Sequence, residues 1–519
     1  MNRPSFKIAL LFFSAIVYSQ VTKAQISPEK IDSLVENSMK KFNVTGVSVG
    51  IVKDGKVIYT KGYGVKSITT KEKVDENTQF AIASNTKAFT TAALSILVEE
   101  RKLYWETKVK DILPEFKMYN DYVTENFTIQ DLLTHRSGLG LGAGDLMFFP
   151  NGSDFTIKDV LSGFQYFKPV SDFRTRFDYD NLLYYVAGEV IAKLSGMSWE
   201  DFVQSRIIKP LNMEHSYASL ALMKDKSKLA MPHTDTFGKL KQIESFGDQI
   251  NGAPGGIYST SADLCKWMLM QLNKGKYGAQ LEQQLFSKTI QQQMWTIHTV
   301  TGFNEDPRYQ THFGGYGLGW FLNDMKGNFH VSHTGGLPGM LSSVSLFPDL
   351  NLGIVVLTNS DGGSNLFSAV SKTIEDSYMG LDDNHWIDKI HDQLENDKMH
   401  EDGVTKDVWA QVAASGKKKI DPTGYIGVYA DKWFGKVEVS LKGKQLWFKS
   451  YRSPKLSGPM SYYNANSFAI KWAYPDLNAD AFAIFSLDEE GKAESIKMRG
   501  ISPSIDFSYD FRDLDFQRL

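Results

Sequence analysis

The chain has 519 residues, a length typical of two or three domains rather than one. Hydrophobic residues make up 42% and charged residues 23%, a balance that excludes a disordered, collagen-like or coiled-coil chain. The 57 basic residues do not exceed the 60 acidic ones, so the chain lacks the basic surplus with which proteins neutralise nucleic-acid phosphates. The single cysteine, Cys265, excludes an intramolecular disulfide and a multi-cysteine metal site. We expect no metal, no other cofactor and no nucleic-acid partner.

The N-terminus has the organisation of a secretory signal peptide. Arg3 and Lys7 precede an almost wholly apolar run at residues 9–18, and Ala24 supplies the small residue before a cleavage site. The alternative is a membrane anchor, but the run is shorter than the roughly 20 residues that a spanning helix needs. We expect residues 1–24 to be removed and the mature protein to be periplasmic or secreted, without a stable membrane anchor.

The next segments predict a mixture of helix and antiparallel strand. Residues 28–42 have the spacing of an amphipathic helix, and residues 47–59 have the pattern of two strands joined by an Asp-Gly turn. A strand-like run at 80–83 leads into a helix over 86–100, for which the sequence predicts one buried apolar stripe.

The second half of the first domain returns to strands. Residues 129–293 are largely helical and loop-rich, and strands follow near 329–332, 341–347 and 352–359 before a closing helix near 366–378. We expect the early and late strands to join one sheet, which gives an α+β fold.

The C-terminal part changes character twice. After the domain at 25–381, residues 382–420 form a charged, partly helical linker. Residues 421–519 contain short alternating runs separated by glycines, a pattern that predicts a small all-β antiparallel barrel.

The S-x-x-K pattern at Ser84–Lys87 is typical of enzymes that form acyl-serine intermediates. The pattern is weak alone, because it also begins at Ser27, Ser38 and Ser415. Only Ser84 follows a strand-like run and opens an amphipathic helix, which places Lys87 one turn later on the same face. The helix N-terminus favours a negative oxygen there, and a buried lysine can lose its proton and act as a base. The alternative is a helix-capping serine beside a solvated lysine.

A second candidate segment is Tyr179-Asp180-Asn181, which ends a polar loop and opens a helix. A tyrosine in this place can relay a proton, and an asparagine amide can hold a substrate carbonyl. The same spacing recurs at Tyr462–Asn464, and the alternative is a helix-capping asparagine beside a packed tyrosine.

The third candidate is His333-Thr334-Gly335-Gly336, at the end of the strand predicted for 329–332. Glycine lets another backbone approach closely, as an inserted substrate would. The alternative is a hairpin turn with an incidental histidine.

In this order and spacing, the three motifs resemble those of the serine β-lactamase and penicillin-binding superfamily. More narrowly, they resemble the class C β-lactamase branch with its D,D-carboxypeptidase, D-aminopeptidase and esterase relatives. The resemblance covers residues 28–378 and includes the segments 131–139, 253–263, 316–320 and 353–359. The predicted barrel resembles the appendage behind such domains in some exported bacterial hydrolases.

The resemblance implies a β-lactamase-like fold, with an antiparallel sheet flanked by helices and an active site between sheet and helical lobe. It implies that Ser84 is the nucleophile, Lys87 its general base and Tyr179 the proton relay to the leaving group. The implied substrate contacts come from Asn181, His333, Thr334 and Gly335, and the implied oxyanion hole from the backbone N–H groups of Ser84 and Gly336.

The third motif departs from the true β-lactamases, in which a lysine stands at the position of His333. The histidine form occurs among D,D-peptidase and D-aminopeptidase relatives, and it argues against efficient β-lactam hydrolysis while leaving acylation unaffected. Because an unperturbed histidine titrates near about 6.5, we expect an anionic substrate to lose affinity as the pH rises through this value.

Together the motifs predict an exported serine hydrolase that forms an acyl-enzyme on Ser84. Its expected substrate is a small molecule or peptide, namely a D-amino-acid peptide, amide or ester. The alternatives are a non-catalytic penicillin-binding or sensor module, and an esterase or transacylase on the same site. Retention of all three motifs favours an enzyme.

Overall fold

The computed structural model of the protein describes residues 25–519, without residues 237, 248–249, 304 and 416–419 and without the side chain of Asp402. The predicted signal peptide therefore lies outside the described residues. None of the described helices is long and apolar enough to cross a membrane.

The helices of the described chain alternate with strands in the first domain and end in one long connector helix. In chain order they are α1 (Pro28–Lys41), α2 (Thr86–Glu99), α3 (Val109–Ile112), α4 (Asp121–Asn126), α5 (Ile129–Leu133), α6 (Ile157–Gly163), α7 (Leu182–Ser195), α8 (Trp199–Val203), α9 (Ser261–Leu272), α10 (Lys288–Met294), α11 (Gly363–Tyr378) and α12 (Trp386–Ser415).

The strands fall into a central sheet, three two-stranded pairs and a C-terminal barrel. In chain order they are β1 (Gly46–Lys53), β2 (Lys56–Gly64), β3 (Phe80–Ala81), β4 (His233–Thr234), β5 (Lys241–Gln242), β6 (Tyr258–Ser259), β7 (Lys276–Tyr277), β8 (Gln283–Gln284), β9 (Thr299–Val300), β10 (Gly314–Tyr316), β11 (Phe321–Met325), β12 (Asn328–Leu337), β13 (Met340–Phe347), β14 (Leu352–Thr358), β15 (Gly427–Asp431), β16 (Gly435–Lys442), β17 (Gln445–Ser450), β18 (Ser457–Asn464), β19 (Ser467–Ile470), β20 (Ala481–Leu487), β21 (Ala493–Gly500) and β22 (Asp515–Arg518).

The central sheet is antiparallel, with the strand order β2-β1-β14-β13-β12-β11-β10-β9. Val49 of β1 lies opposite Val356 of β14, which confirms that the early and late strands join one sheet. The predicted hairpin is also confirmed: its turn residues Asp54 and Gly55 have φ values of 50° and 77°, as a two-residue turn that follows the twist of the strands requires. Helices α1 and α11 cover one face of this sheet and bury its valine and isoleucine side chains.

Helix α2 differs from its prediction, because it is buried on nearly every side rather than along one stripe. It lies between the sheet and the helical lobe, and the ring of Phe89 stacks on Trp267 with centroids 3.8 Å apart. Its polar side chains are therefore enclosed, and most of them are paired; Thr90, for example, donates to the Ala253 carbonyl at 2.7 Å. Lys87 is fully buried in the same environment.

Strand β12 is longer than predicted, and the two strands directly before it, β10 and β11, were not predicted. The third motif lies within β12, so the prediction that it follows the strand end is wrong; the turn comes at Pro338-Gly339. Strands β10 and β11 read Gly-Gly-Tyr and Phe-Leu-Asn-Asp-Met, sequences whose glycine, asparagine and aspartate have low β-propensity. Pairing with neighbouring strands outweighs that propensity.

Residues beyond the first domain form a helix and a barrel. Helix α12 lies within the predicted charged linker, and strands β15 to β22 form a closed antiparallel barrel. Tyr429 on β15 lies opposite Arg518 on β22 and closes the cylinder. The α+β fold followed by a small all-β barrel is therefore confirmed, whereas the exact domain boundaries remain predictions.

The barrel is fixed to the helical lobe by aromatic packing and by ion pairs. The rings of Phe167 and Trp433 have centroids 5.0 Å apart across this contact. Arg452 of the barrel donates to Asp154 at 2.7 Å and to both carboxylate oxygens of Asp159. Such bidentate arginine–carboxylate pairs have a defined geometry, so they orient the barrel on the lobe.

Candidate active site

Ser84 lies in a single 3₁₀ turn, Ala83–Asn85, between β3 and the start of α2. Ala83 has φ 48°, a left-handed conformation that costs a non-glycine residue about 1–2 kcal/mol. Strand β13 supports this conformation, because Ser342 accepts from the Asn85 amide at 2.8 Å and donates to the Ile82 carbonyl at 2.7 Å. The serine is thus half-exposed, and it lies at the start of α2, where the sequence pattern predicted it.

The Lys87 amine is surrounded by oxygen acceptors. Its Nζ lies 3.2 Å from Ser84 Oγ, 2.7 Å from Asn181 Oδ1 and 2.9 Å from the Pro254 carbonyl oxygen. Burial lowers the pKa of Lys87 to about 7, although buried carboxyl groups nearby act in the opposite direction. A neutral amine can donate two hydrogens to Asn181 and Pro254 and direct its lone pair at the Ser84 hydroxyl. This arrangement is the one a general base requires.

Tyr179 covers the lysine and contacts the serine. Its ring centroid is 4.8 Å from Lys87 Nζ. Burial raises the pKa of Tyr179 well above 10, while a hydrogen bond with Ser84 acts in the opposite direction. The phenol therefore keeps its proton at neutral pH, which suits a group that passes a proton to a leaving group.

Asn181 connects the lysine to a buried carboxyl group. Its Oδ1 accepts from Lys87, and its Nδ2 donates to Asp145 Oδ2 at 2.8 Å. Burial raises the pKa of Asp145 well above its usual range, so burial favours the neutral forms of both Lys87 and Asp145. The second N–H of the Asn181 amide is the group that can meet a substrate carbonyl.

The barrel contributes directly to this site through the loop between β21 and β22. Ser508 Oγ donates to Asp145 Oδ2 at 2.9 Å, and Asp510 Oδ2 accepts from the Gly144 N–H at 2.9 Å. The ring of Phe507 packs edge-on against Tyr179 with centroids 5.9 Å apart. The carboxyl group behind Asn181 is thus held from both domains.

His333 is buried beside the site as a neutral ring. Its Nδ1 donates to the Thr334 carbonyl at 2.6 Å, which leaves Nε2 to accept from the Tyr316 hydroxyl at 3.0 Å. Burial, with a further contribution from Lys87, lowers the pKa of His333 to about 3. The expectation that His333 changes charge near pH 6.5 and so controls the affinity of an anionic substrate is therefore wrong.

The two glycines of the third motif have different environments. A Cβ on Gly335 would lie 2.1 Å from the Ile82 carbonyl oxygen, so the backbone that approaches Gly335 is the protein's own and not a substrate. Gly335 is buried and does not line the cavity, whereas Thr334 and Gly336 do. Pairing between β11 and β12 ends at Ser332, which leaves the edge of β12 open beside the nucleophile turn.

A cavity of about 370 Å³ collects the predicted residues. Ser84, Tyr179, Asn181 and His333 line it, and Lys87 lies beneath them. Cavities of about 520 Å³ beside α1 and α11, and of about 700 Å³ beside α8, contain none of these residues, so size does not select the site. The structure brings together motifs that lie about 250 residues apart in the chain.

The other S-x-x-K serines have structural roles. Ser27 caps α1 by accepting from the Lys30 N–H at 3.4 Å, and Ser38 donates to the Leu34 carbonyl within the same helix. Ser415 ends α12 and donates to the Tyr463 carbonyl, and its motif lysine lies outside the described residues. Ser27 is therefore a helix-capping serine, and Ser38 bonds within its own helix.

Sequence reasoning missed the buried groups behind the motifs. His135 Nδ1 accepts from the Asp180 N–H at 3.0 Å, and its ring stacks on Tyr179 with centroids 4.2 Å apart. Burial raises the pKa of the Asp180 carboxyl to about 7. Asp145 and Ser508 carry no local motif, and only the tertiary contact between the two domains reveals them.

Comparison with known proteins agrees with this geometry. The family model described as Beta-lactamase matches residues 31–373, so the chain belongs to the β-lactamase family of serine hydrolases and penicillin-binding proteins. A domain of unknown function (DUF3471) matches residues 417–518. The predicted family and its fold are confirmed.

The individual relatives are distant. The chain is 28% identical to "Unguisins hydrolase ungD'" of Aspergillus campestris over 66% of this chain and 65% of that protein. It is 30% identical to "Protein flp" of Staphylococcus aureus over 64% of this chain and 63% of that protein. The match thus spans less than two thirds of either relative. The structure of the octameric penicillin-binding protein homologue from Pyrococcus abyssi shares the fold, with a TM-score of 0.61, 22% identity, and coverage of 95% of this chain and 100% of that chain.

The depressed pKa of Lys87 predicts how acylation of Ser84 depends on pH. Because only the neutral amine accepts the serine proton, the rate of labelling by a fluorophosphonate should rise through pH 7 and be about tenfold lower at pH 6 than at pH 8. Lys87→Met should lower the plateau rate at least about 100-fold.

Asp180 also titrates near this pH, so Asp180→Asn is the control. The increase of the labelling rate through pH 7 should persist in Asp180→Asn and disappear in Lys87→Met. If the increase of the labelling rate with pH is instead lost in Asp180→Asn, the titrating group is the Asp180 carboxyl group and not the lysine.

The hydrogen bond across the domain contact predicts an effect of the barrel on catalysis. Ser508→Ala removes one donor from Asp145 and should slow Ser84 labelling about 2–10-fold, the usual consequence of losing one hydrogen bond. Ser504→Ala is the matched control, because Ser504 lies in the same loop, is exposed and bonds only within it. Equal rates in the two variants would show that the barrel does not support the lysine site.

Proposed function

We propose that this protein is an exported serine hydrolase that forms an acyl-enzyme on Ser84 and acts on D-amino-acid peptides, amides or esters. The observation that carries the proposal is the 3.2 Å contact between a fully buried lysine amine and the serine hydroxyl. A lysine whose pKa lies near 7 has a large neutral fraction at physiological pH, and it can therefore act as a base.

The chemistry follows from the positions of the groups. Lys87 takes the proton of Ser84 as Oγ bonds to the substrate carbonyl carbon, and the N–H groups of Ser84 and Gly336 stabilise the negative oxygen. The bond to the leaving nitrogen or oxygen then breaks, and Tyr179 supplies the proton that it needs. Tyr179 regains a proton from the Lys87 ammonium. A water molecule then attacks the carbonyl carbon of the acyl-serine. The acid is released, and the Ser84 hydroxyl is restored.

One feature supports D-amino-acid substrates, and another supports hydrolysis. The histidine at position 333 is the form found among the D,D-peptidase and D-aminopeptidase relatives that the sequence resembles. A relative at 28% identity carries the name "Unguisins hydrolase", which supports hydrolysis over a purely binding function. Esterase activity on the same acyl-serine is a second candidate, because the aromatic lining of the cavity suits an apolar ester.

Labelling by a fluorophosphonate tests the proposal. The label should map by mass spectrometry to Ser84 and be absent from Ser84→Ala, while Ser27→Ala, which alters the same motif at a helix cap, should label as the wild type does. Label on another serine would overturn the assignment. With D-peptides and their L-diastereomers as substrates, cleavage should favour the D form. Equal cleavage of the two would contradict the D preference, and cleavage of esters alone would replace peptidase with esterase.

Export is the remaining part of the proposal, and the organisation of residues 1–24 supports it. Protein expressed in a bacterium with its native N-terminus should begin at or near Gln25 and be recovered outside the cytoplasm. N-terminal sequencing that finds an intact, membrane-bound Met1 would contradict export without affecting the acylation chemistry.

A further inference from the structure

Aromatic rings line the cavity in two groups. The first wall stands next to Asn181, the side that the resemblance assigns to the acyl group: Phe148 packs on Tyr185 with ring centroids 5.3 Å apart, and Phe149 packs on Phe246 at 5.6 Å. Every one of these rings lines the cavity. They offer stacking surface and contribute no charge.

The second wall stands next to His333. Phe321 lies 5.3 Å from the His333 ring, and Phe177 lies 5.9 Å from Phe321 between ring centroids. Phe507 of the barrel loop extends this wall over Tyr179. Because the resemblance assigns the acyl group to the Asn181 side, the leaving group of the substrate meets this second aromatic surface.

Positive charge is missing from the described lining of the cavity. No lysine or arginine lines it, and Lys87 lies beneath the floor with its amine already paired. Nearby Arg176 and Arg512 pair with Asp178 and Asp510 at 3.2 Å each. His333 is the basic side chain in the lining, and its ring is neutral.

Asp506 is the acidic group in the described lining, and it makes a substrate anion still less favourable. It accepts from the Ser508 N–H at 2.9 Å, and in either protonation state it offers no positive charge. A substrate carboxylate placed here would lose its water to aromatic rings and find no cation in exchange, which is costly.

We propose that the site selects substrates that carry apolar, bulky groups on both sides of the scissile bond and no carboxylate near it. On this inference, which rests on the proposed function, the substrate bond is an internal or end-capped amide of an apolar D-peptide, or a neutral apolar ester. A peptide that presents its free C-terminal carboxylate next to the scissile bond is disfavoured. The cavity volume of about 370 Å³ lies within the roughly 300–1,000 Å³ of small-molecule sites.

Competition with fluorophosphonate labelling of Ser84 tests the selectivity without requiring turnover. The two competitors are N-acetyl-D-Phe-D-Phe amide and the same dipeptide with a free carboxylate, which differ only in the charge at one end. The amide should halve the labelling rate at a concentration at least tenfold lower than the acid. An acid that competes as well as the amide, or an amide that does not compete, overturns the inference.

The outcomes separate this inference from the proposed function. If Ser84 is not labelled at all, the acyl-serine chemistry fails; if it is labelled but the two competitors are equal, only the selectivity fails. Leu337→Arg places a cation at the half-exposed rim of the cavity. It should reduce the ratio between the concentrations of acid and of amide that halve the labelling rate at least threefold. Tyr122→Arg, which adds the same charge at an exposed position on α4, should leave this concentration ratio unchanged.

The wild-type comparison needs no variant, so the inference is testable even if Leu337→Arg does not fold. Thr334→Lys is the second variant, at an exposed position of the cavity lining next to His333. It should also reduce the concentration ratio between acid and amide. If this concentration ratio is unchanged in both folded variants, the weaker binding of the acid does not come from the missing positive charge.

Discussion

The removal of the Lys87 amine from water is the constraint on which the rest of the site depends. A buried lysine without acceptors would be strongly destabilising, and here the neighbouring elements supply them. The start of α2 brings the lysine to Ser84, the helical lobe supplies Asn181, and the loop before β6 supplies the Pro254 carbonyl. Because the sheet and the lobe together enclose α2, the amine stays dry and its pKa falls to about 7.

The same enclosure governs the groups around the lysine. Burial favours the neutral forms of Asp145, His333 and Tyr179, so the site contains few permanent charges. Proton transfer from Ser84 to Lys87 then starts from two neutral groups, and the ammonium that it forms lies among fixed oxygen acceptors. The barrel takes part, because Ser508 holds the carboxyl group that orients Asn181. The barrel therefore contributes residues to the site, and the aromatic cavity walls are drawn from both domains.

The sequence predicted those features that depend on local pattern. Strands β1 and β14 are mainly apolar runs, the Asp-Gly turn fixes its own geometry, and the spacing of Ser84 and Lys87 is set by one helical turn. What it could not predict depends on tertiary contact. Helix α2 has the pattern of an amphipathic helix but is covered on all sides, and β10 and β11 form against their own propensity. The sequence made His333 look like a titrating group, because the burial that keeps its ring neutral is a property of the folded structure. Ser508 lies in no motif that would connect it with Asp145.

Direct titration of the Lys87 amine tests the central claim. The ¹³Cε signals of labelled lysine, with that of Lys87 identified by its loss in Lys87→Met, report the protonation of each amine as the pH is varied. The account predicts that the Lys87 signal titrates with a midpoint near pH 7, well below that of the exposed lysines. A Lys87 signal that remains protonated to pH 9 or beyond would contradict the account, because the lysine would then have no lone pair with which to activate Ser84.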